Sequence, residues 1–180
     1  MSQTFKPPRR RFLAAASGAA VAPLVGCGRA GPWRCFTPDE AETVIALSEQ
    51  IIPADQDPGA REAGVIHYID RHLAGHFRRF QPVYRRGLAE LDRLSRRRFG
   101  RRFAQLNFDQ QTRLLEGLSG ELKAFFNLVI DHTMQGFYGD PRHGGNRDAV
   151  SWRMLGVPLV PVRGRQHYDL TGEPAQGGNS

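Results

Sequence analysis

Three histidines and one aspartate lie close together in the sequence and are the residues best suited to bind a metal ion. They are His67, Asp70, His72 and His76. His72 and His76 are four residues apart, so a helix would place both on one face. Di-iron helical bundles use Glu-x-x-His pairs on facing helices, and the chain contains no such pair. A free-standing metal-dependent helical enzyme is therefore an alternative hypothesis and not the main one.

Other catalytic signatures are missing. The chain has no Gly-x-Ser-x-Gly and no Walker loop, and no Gly-x-Gly-x-x-Gly opens a strand-to-helix turn. It also lacks the Cys-x-x-Cys-His motif that attaches a c-type haem. We therefore expect no catalytic, metal-binding or cofactor-binding residues in this chain.

A Gly-rich segment at residues 135–148, with a second group at 152–158, combines aromatic and polar side chains. Its glycines permit positive φ, Asp140-Pro141 favours a turn, and Asn146 or Asp148 can cap a short helix. The segment predicts a rigid loop, either packed on its own bundle or presented to a partner, since Tyr, Trp and Arg are common interface anchors. The residues predicted for a partner interface are Phe137, Tyr138, Asp140, Pro141, Gly144, Gly145, Asn146 and Trp152.

The positive charge of the chain is unevenly distributed. The first 26 residues hold four basic residues and no acidic one, which is more than half of the formal net charge of +7. We therefore expect no nucleic-acid partner, although excess charge can indicate one. An arginine cluster in the body suits a solvated helix C-terminus, an acidic partner or anionic lipid headgroups. Its members are Arg93, Arg96, Arg97, Arg98, Arg101 and Arg102.

The elements that position these residues are helices. Thr37-Pro38-Asp39-Glu40 predicts a helix start with a capping box, and apolar residues repeat at helical spacing in five segments. No convincing period-2 strand occurs. The predicted fold is all-α, a compact bundle of about five or six helices with an irregular Gly/Pro-rich loop and C-terminal tail. Four of the predicted helices span residues 38 to 50–52, 62–77, 82–99 and 120–138. A shorter one begins at residues 107–110 and contains Leu114, Leu115 and Leu118.

The N-terminus has the architecture of an export signal, since basic residues precede about 15 weakly apolar ones. Arg9, Arg10, Phe12 and Leu13 match the twin-arginine pattern Arg-Arg-x-Phe-Leu. A second match, Leu24-Val25-Gly26-Cys27, is similar to a lipoprotein box in which Cys27 is acylated. Cleavage at residues 28–31, without acylation, is the other possibility.

The chain therefore divides into four parts. Residues 1–26 are the predicted twin-arginine signal and possible lipoprotein signal, and residues 27–35 are a linker. Residues 36–158 form the helical domain, and residues 159–180 form an irregular tail.

The loop motifs resemble the gluconate 2-dehydrogenase subunit 3 family. The resemblance is carried by Gly136-Phe137-Tyr138, Asp140-Pro141, Gly144-Gly145-Asn146 and the spacing of Trp152, Met154, Gly156 and Pro158. Upstream, Ile51-Ile52-Pro53-Ala54-Asp55 and Ile69-Asp70 also look like family positions, and the likeness covers residues 36–158. Gly139 and His143 depart from the residues more common in the family.

This resemblance implies a non-catalytic small subunit of a flavin-dependent dehydrogenase of the glucose-methanol-choline type. Such a complex oxidises gluconate, other sugars or polyols and passes electrons to a multi-haem cytochrome c. FAD and haem c would be in the partner subunits, and this chain would serve export, assembly or stability of the flavoprotein. The expected location is the periplasm, at the membrane surface. A membrane-anchoring lipoprotein is a further alternative.

Overall fold

A computed structural model describes residues 32–157 of the chain. This part contains six α-helices and no β-strand, which confirms the predicted all-α bundle. Four short 3-10 segments connect them, at Arg78–Phe80, Phe103–Gln105, Pro141–His143 and Arg147–Ala149. The helices are α1 (Pro38–Ile51), α2 (Val65–Leu73), α3 (Gln81–Phe99), α4 (Phe108–Glu116), α5 (Gly120–Tyr138) and α6 (Val150–Met154).

Local signals in the sequence set the starts of two of these helices. The Thr37 hydroxyl accepts from the Glu40 backbone N–H while the Glu40 carboxylate accepts from the Thr37 N–H, so the predicted capping box of α1 is confirmed. Asn107 and Gln110 form the same arrangement at α4. Helix α5 has the predicted bounds, but Ser119 makes no side-chain capping bond.

Helix α2 is shorter than the predicted 62–77, and tertiary contacts explain why. Gly64 precedes it in the left-handed conformation, φ 68°, which a continuous helix excludes. The carbonyl of Ala63 accepts from the backbone N–H of Arg147, so it is not available for a helical bond. At the other end the helix stops at Leu73, and the Phe77 N–H turns back to the carbonyl of His72.

The core lies between α1, α2, α3 and α5, where Leu47, Ile69, Leu91 and Val129 are fully or almost fully buried. The packed body also includes Cys35, which is buried although the sequence placed it in the linker. Within residues 32–157 no helix has the length and apolarity required to cross a membrane.

Candidate partner-binding surface

The Gly-rich loop packs directly on α2 and on the last turns of α5. A β-carbon on Gly145 would lie 2.1 Å from the carbonyl oxygen of Gly136, and one on Gly136 would lie 3.1 Å from the Tyr68 side chain. Gly144 has φ 105° and lies against the backbone of His67. These glycines are therefore required for close backbone approach, and one side of the loop is fixed to the bundle.

Asn146 holds the loop closed from inside. It is completely buried and has φ 44°, a left-handed conformation that asparagine tolerates better than most residues. Its Nδ2 donates to the carbonyl of Gly139 at 2.9 Å, and its Oδ1 accepts from the backbone N–H of Ser151 at 2.9 Å. Because Ser151 lies in the first turn of α6, Asn146 satisfies one backbone N–H at the start of this helix, but the N-cap residue is Ala149 and not Asn146 or Asp148 as predicted.

This segment lies inside the region by which the chain is matched to a known family. The family described as Gluconate 2-dehydrogenase subunit 3 matches residues 38–158. The chain belongs to this family. No curated protein and no solved structure matches it. The subunit is thus one component of an assembly that contains other subunits.

The eight residues predicted for a partner interface fall into two groups. Phe137, Gly145 and Asn146 are buried within the chain, so the structure corrects their assignment: they support the loop and do not face outward. Tyr138 is 42% exposed, and Trp152 is half-buried with its Nε1 donating to the Tyr138 carbonyl at 2.8 Å. The inner side of the loop therefore packs on its own bundle, and the partner interface stays a prediction for the exposed side.

More apolar side chains extend the outer side of the loop. Met134 is 42% exposed one turn before Tyr138 on α5, and Leu155, next to α6, is 62% exposed. Neither residue could be predicted from the sequence, because a single exposed apolar residue in or beside a helix has no distinctive pattern. We call this surface the loop face, defined by Met134, Tyr138, Trp152, Met154, Leu155 and Val157.

The polar end of the loop is an ion pair that fixes the turn. Asp140 accepts from the backbone N–H of Arg142 at 2.9 Å and from its guanidinium. These hydrogen bonds lower the pKa of Asp140 to about 2. Asp140 and Pro141 are half-buried, and Gly144 is half-buried as well, so these three predicted interface residues lie at the edge of the loop.

Asp70 has a structural role that the sequence analysis did not identify. Its buried carboxylate accepts the backbone N–H groups of Arg34 and Cys35 at 2.7 Å each and that of Phe36 at 3.1 Å. It thereby ties the segment that enters the domain to α2. The sequence feature that could have indicated this structural role is the position of an acidic residue on the apolar face of α2, next to Ile69 and three residues before Leu73.

The hypothetical metal ligands do not converge. Asp70 is engaged by backbone N–H groups, and His67 lies against Trp33 with ring centroids 5.3 Å apart. His72 faces His143 at 5.8 Å between ring centroids. Among residues 32–157 no group of three His, Cys, Asp or Glu side chains is placed to hold a metal ion.

His132 belongs to a buried aromatic stack. Its ring is parallel to those of Phe77, at 4.5 Å, and Tyr84, at 5.8 Å, and its Nδ1 lies 2.9 Å from the Tyr84 hydroxyl. Burial lowers the pKa of His132 to about 4, with a smaller contribution of the same sign from His72 and an opposing one from Asp131. Burial also raises the pKa of Tyr84.

The arginine cluster separates into paired and unpaired members. Arg102 contacts Asp39 at 2.8 Å and Glu42 at 2.9 Å, which links α1 to the end of α3. Arg93 pairs with Glu90 and Arg96 with Asp92 along α3. Within the described residues the remaining three, Arg97, Arg98 and Arg101, form no ion pair.

Several predicted residues lie outside the described part of the chain. They include the export-signal residues Arg9, Arg10, Phe12 and Leu13, the lipidation candidate Cys27, and Pro158 with the tail.

Proposed function

We propose that this subunit is a non-catalytic escort and assembly subunit of a flavin-dependent dehydrogenase complex in the periplasm. The proposal is supported by membership in the gluconate 2-dehydrogenase subunit 3 family. In this proposal the flavoprotein is of the glucose-methanol-choline type and oxidises gluconate, another sugar or a polyol. FAD is bound by that flavoprotein and haem c by a cytochrome subunit.

The observation that carries the proposal is the contrast between the two sides of the loop. The inner side is held by buried hydrogen bonds of Asn146 and by the Gly145–Gly136 contact, so the loop backbone is rigid. The outer side leaves Tyr138 and Leu155 exposed. Preorganised aromatic and aliphatic groups lose little conformational entropy on binding, which suits them to a stable subunit contact. The loop face is therefore the proposed contact with the flavoprotein.

The proposed route to the periplasm rests on the N-terminal sequence. Arg9-Arg10 followed by Phe12-Leu13 supports twin-arginine export, which transports folded proteins together with their bound companions. A flavoprotein without its own signal would then be carried across by this subunit. Acylation of Cys27 would anchor the complex at the membrane surface, since two acyl chains give stable anchoring.

The first experiment is an affinity purification of the full-length, C-terminally tagged subunit from detergent-solubilised membranes. The eluate is analysed by mass spectrometry and by its flavin absorption spectrum. Recovery of a flavin-containing dehydrogenase in a fixed ratio to the subunit is the expected result. A colourless eluate that contains only the subunit would overturn the proposal, and stoichiometric metal in that eluate would favour the metal-dependent enzyme instead.

A single variant tests the anchoring part separately. With Cys27→Ser, the complex should move from the membrane fraction to the soluble periplasmic fraction while the flavin content of the purified complex stays the same. Unchanged membrane association would favour attachment through the cytochrome or through the arginines on the surface.

A further inference from the structure

A small pocket lies beside the start of α2, where separate parts of the chain meet. Its volume is about 170 Å³, which is enough for several water molecules and therefore for a small ion. Trp33 lines it from the segment that enters the domain, Arg61 from the connection before α2, His67 from α2 and Arg147 from the Gly-rich loop. Two guanidinium groups and one imidazole thus surround a space of the size of a small ligand.

Gly64 determines where the Arg147 side chain lies. A β-carbon on Gly64 would lie 3.3 Å from Nη2 of Arg147 and 3.4 Å from Cδ2 of His67, so the two side chains meet over the residue that leaves room for both. The backbone N–H of Arg147 donates to the Ala63 carbonyl at 2.9 Å. The loop and the start of α2 therefore hold this arginine in place at the pocket.

The positive charge at the pocket is only partly neutralised. Nε of Arg61 lies 3.4 Å from the Glu49 carboxylate. Arg147 forms no ion pair within residues 32–157, although Asp148 follows it in the chain. An arginine without an acidic partner therefore lines the pocket, and its planar fork of N–H donors suits an oxyanion.

His67 adds a donor without a charge. Burial lowers the pKa of His67, Arg147 lowers it further, and Asp70 has an opposing effect. The imidazole is therefore mostly neutral at about pH 7 and can donate one hydrogen bond. The Asp70 carboxylate is already engaged by the backbone N–H groups of residues 34–36. An anion in the pocket would oppose the effect of Arg147 and raise the pKa of His67.

We infer that this pocket binds a phosphate group, with Arg147 as its main ligand and Arg61 and His67 as further donors. Donors from three parts of the chain suit the several oxygens of a tetrahedral phosphate better than the two oxygens of a planar carboxylate. The inference does not depend on the flavoprotein or on any other subunit.

Two sources can supply the phosphate group, namely free phosphate and a phospholipid headgroup. Trp33 lies six residues after Cys27 in the sequence. Even a fully extended chain of this length spans only about 20 Å. Acylation of Cys27, as proposed above, would therefore keep the pocket close to the headgroups.

Calorimetric titration of inorganic phosphate into the purified subunit, in phosphate-free buffer at about pH 7, tests the inference. We expect saturable binding with a dissociation constant of about 1 mM or lower. Arg147→Gln keeps the backbone bond to Ala63 and should weaken binding about tenfold or more, because it removes the charge-assisted hydrogen bonds. Arg97→Gln is the matched control and should bind like the wild type, since Arg97 is an exposed arginine on α3, outside the pocket.

Nuclear magnetic resonance gives a second readout, because the pKa of His67 should rise when phosphate saturates the protein. Absence of saturable binding, an equal loss of affinity in the two arginine variants, or an unchanged pKa of His67 at saturation would each overturn the inference.

Vesicles of phosphatidylglycerol and phosphatidylcholine distinguish the two sources. The Cys27→Ser variant is used, so that no acyl chain contributes to binding. If the headgroup is the ligand, this variant floats with the vesicles, and adding Arg147→Gln abolishes flotation whereas adding Arg97→Gln does not. No flotation, or flotation that Arg147→Gln reduces no more than Arg97→Gln, assigns the phosphate bound in solution to the free ion.

Discussion

The side-chain oxygen of Asn146 accepts a hydrogen bond from the backbone N–H of Ser151 at 2.9 Å, although both residues are fully buried. The same side chain donates to the Gly139 carbonyl, so one amide joins the end of α5 to the start of α6. No other side chain of similar size offers a donor and an acceptor in this arrangement and also tolerates φ 44°.

Asn146→Ala should lower the free energy of unfolding by about 2 kcal/mol, because it leaves the buried N–H of Ser151 and the carbonyl of the half-buried Gly139 without their partner. Chemical denaturation of the purified subunit measures the change. Asn127→Ala, at an exposed position of α5, is the control and should change the stability by less than about 0.5 kcal/mol. Equal stability of the two variants would show that the loop is not held by this amide.

Asp70→Asn should loosen the segment at residues 34–36. The substitution replaces one acceptor oxygen by a donor, which then faces backbone N–H groups, and we expect a loss of about 2 kcal/mol. Amide hydrogen exchange should accelerate at Cys35 and Phe36, while Asp57→Asn, in an exposed turn, should have no such effect. Unchanged exchange at these amides would contradict the role assigned to Asp70.

The stability of the subunit should fall in acid because of His132. Its pKa of about 4 in the folded protein is below the usual value of 6.5, so the unfolded state binds a proton first as the pH falls. The contribution of the uncharged His132 to the free energy of unfolding is therefore fully present above about pH 6.5. As the pH falls toward 4, up to about 3 kcal/mol of this contribution is lost.

The comparison between wild type and His132→Gln isolates this contribution. Glutamine keeps a group that can bond the Tyr84 hydroxyl but does not titrate, so the variant should show a shallower pH dependence between pH 6.5 and 4. His67 and His72 also have lowered pKa values and should account for part of the remaining slope. Identical slopes for the two proteins would mean that His132 has the same pKa in the folded and unfolded states.

The loop face should contribute to the complex and not to the fold. The double variant Tyr138→Ser/Leu155→Ser removes two exposed apolar side chains, so the melting temperature of the isolated subunit should hardly change. The dissociation constant for the flavoprotein should rise roughly 30-fold, which corresponds to about 2 kcal/mol. Phe108→Ser is the control, because Phe108 is 51% exposed at the start of α4. Equal affinities of the double variant and this control would place the flavoprotein elsewhere.

Local sequence signals predicted much of the fold but little of the site. The α1 and α4 caps depend on side chains within three residues of each other, so the sequence is sufficient to locate them. The start of α2 depends on Arg147, which is more than eighty residues away in the chain, and the role of Asp70 depends on Arg34 to Phe36. A local pattern can mark such a residue as unusual, as the acid on the apolar face of α2 does, but it does not identify a partner so far away in the chain. The same limitation explains why Asn146 was predicted to be an interface residue when it is buried.

The twin-arginine motif gives the most direct test of the escort role. Arg9→Lys combined with Arg10→Lys keeps the charge of the N-terminus but removes both guanidinium groups, and Lys does not replace Arg where planar, multidentate recognition is required. Arg11→Lys is the matched control, because residue 11 is the variable position of the Arg-Arg-x-Phe-Leu pattern. In the double variant both the subunit and the flavoprotein should remain in the cytoplasm, whereas the control should export both. Periplasmic flavoprotein in the double variant would show that the flavoprotein crosses the membrane independently of this subunit, and the escort role would then be wrong even if the two proteins assemble.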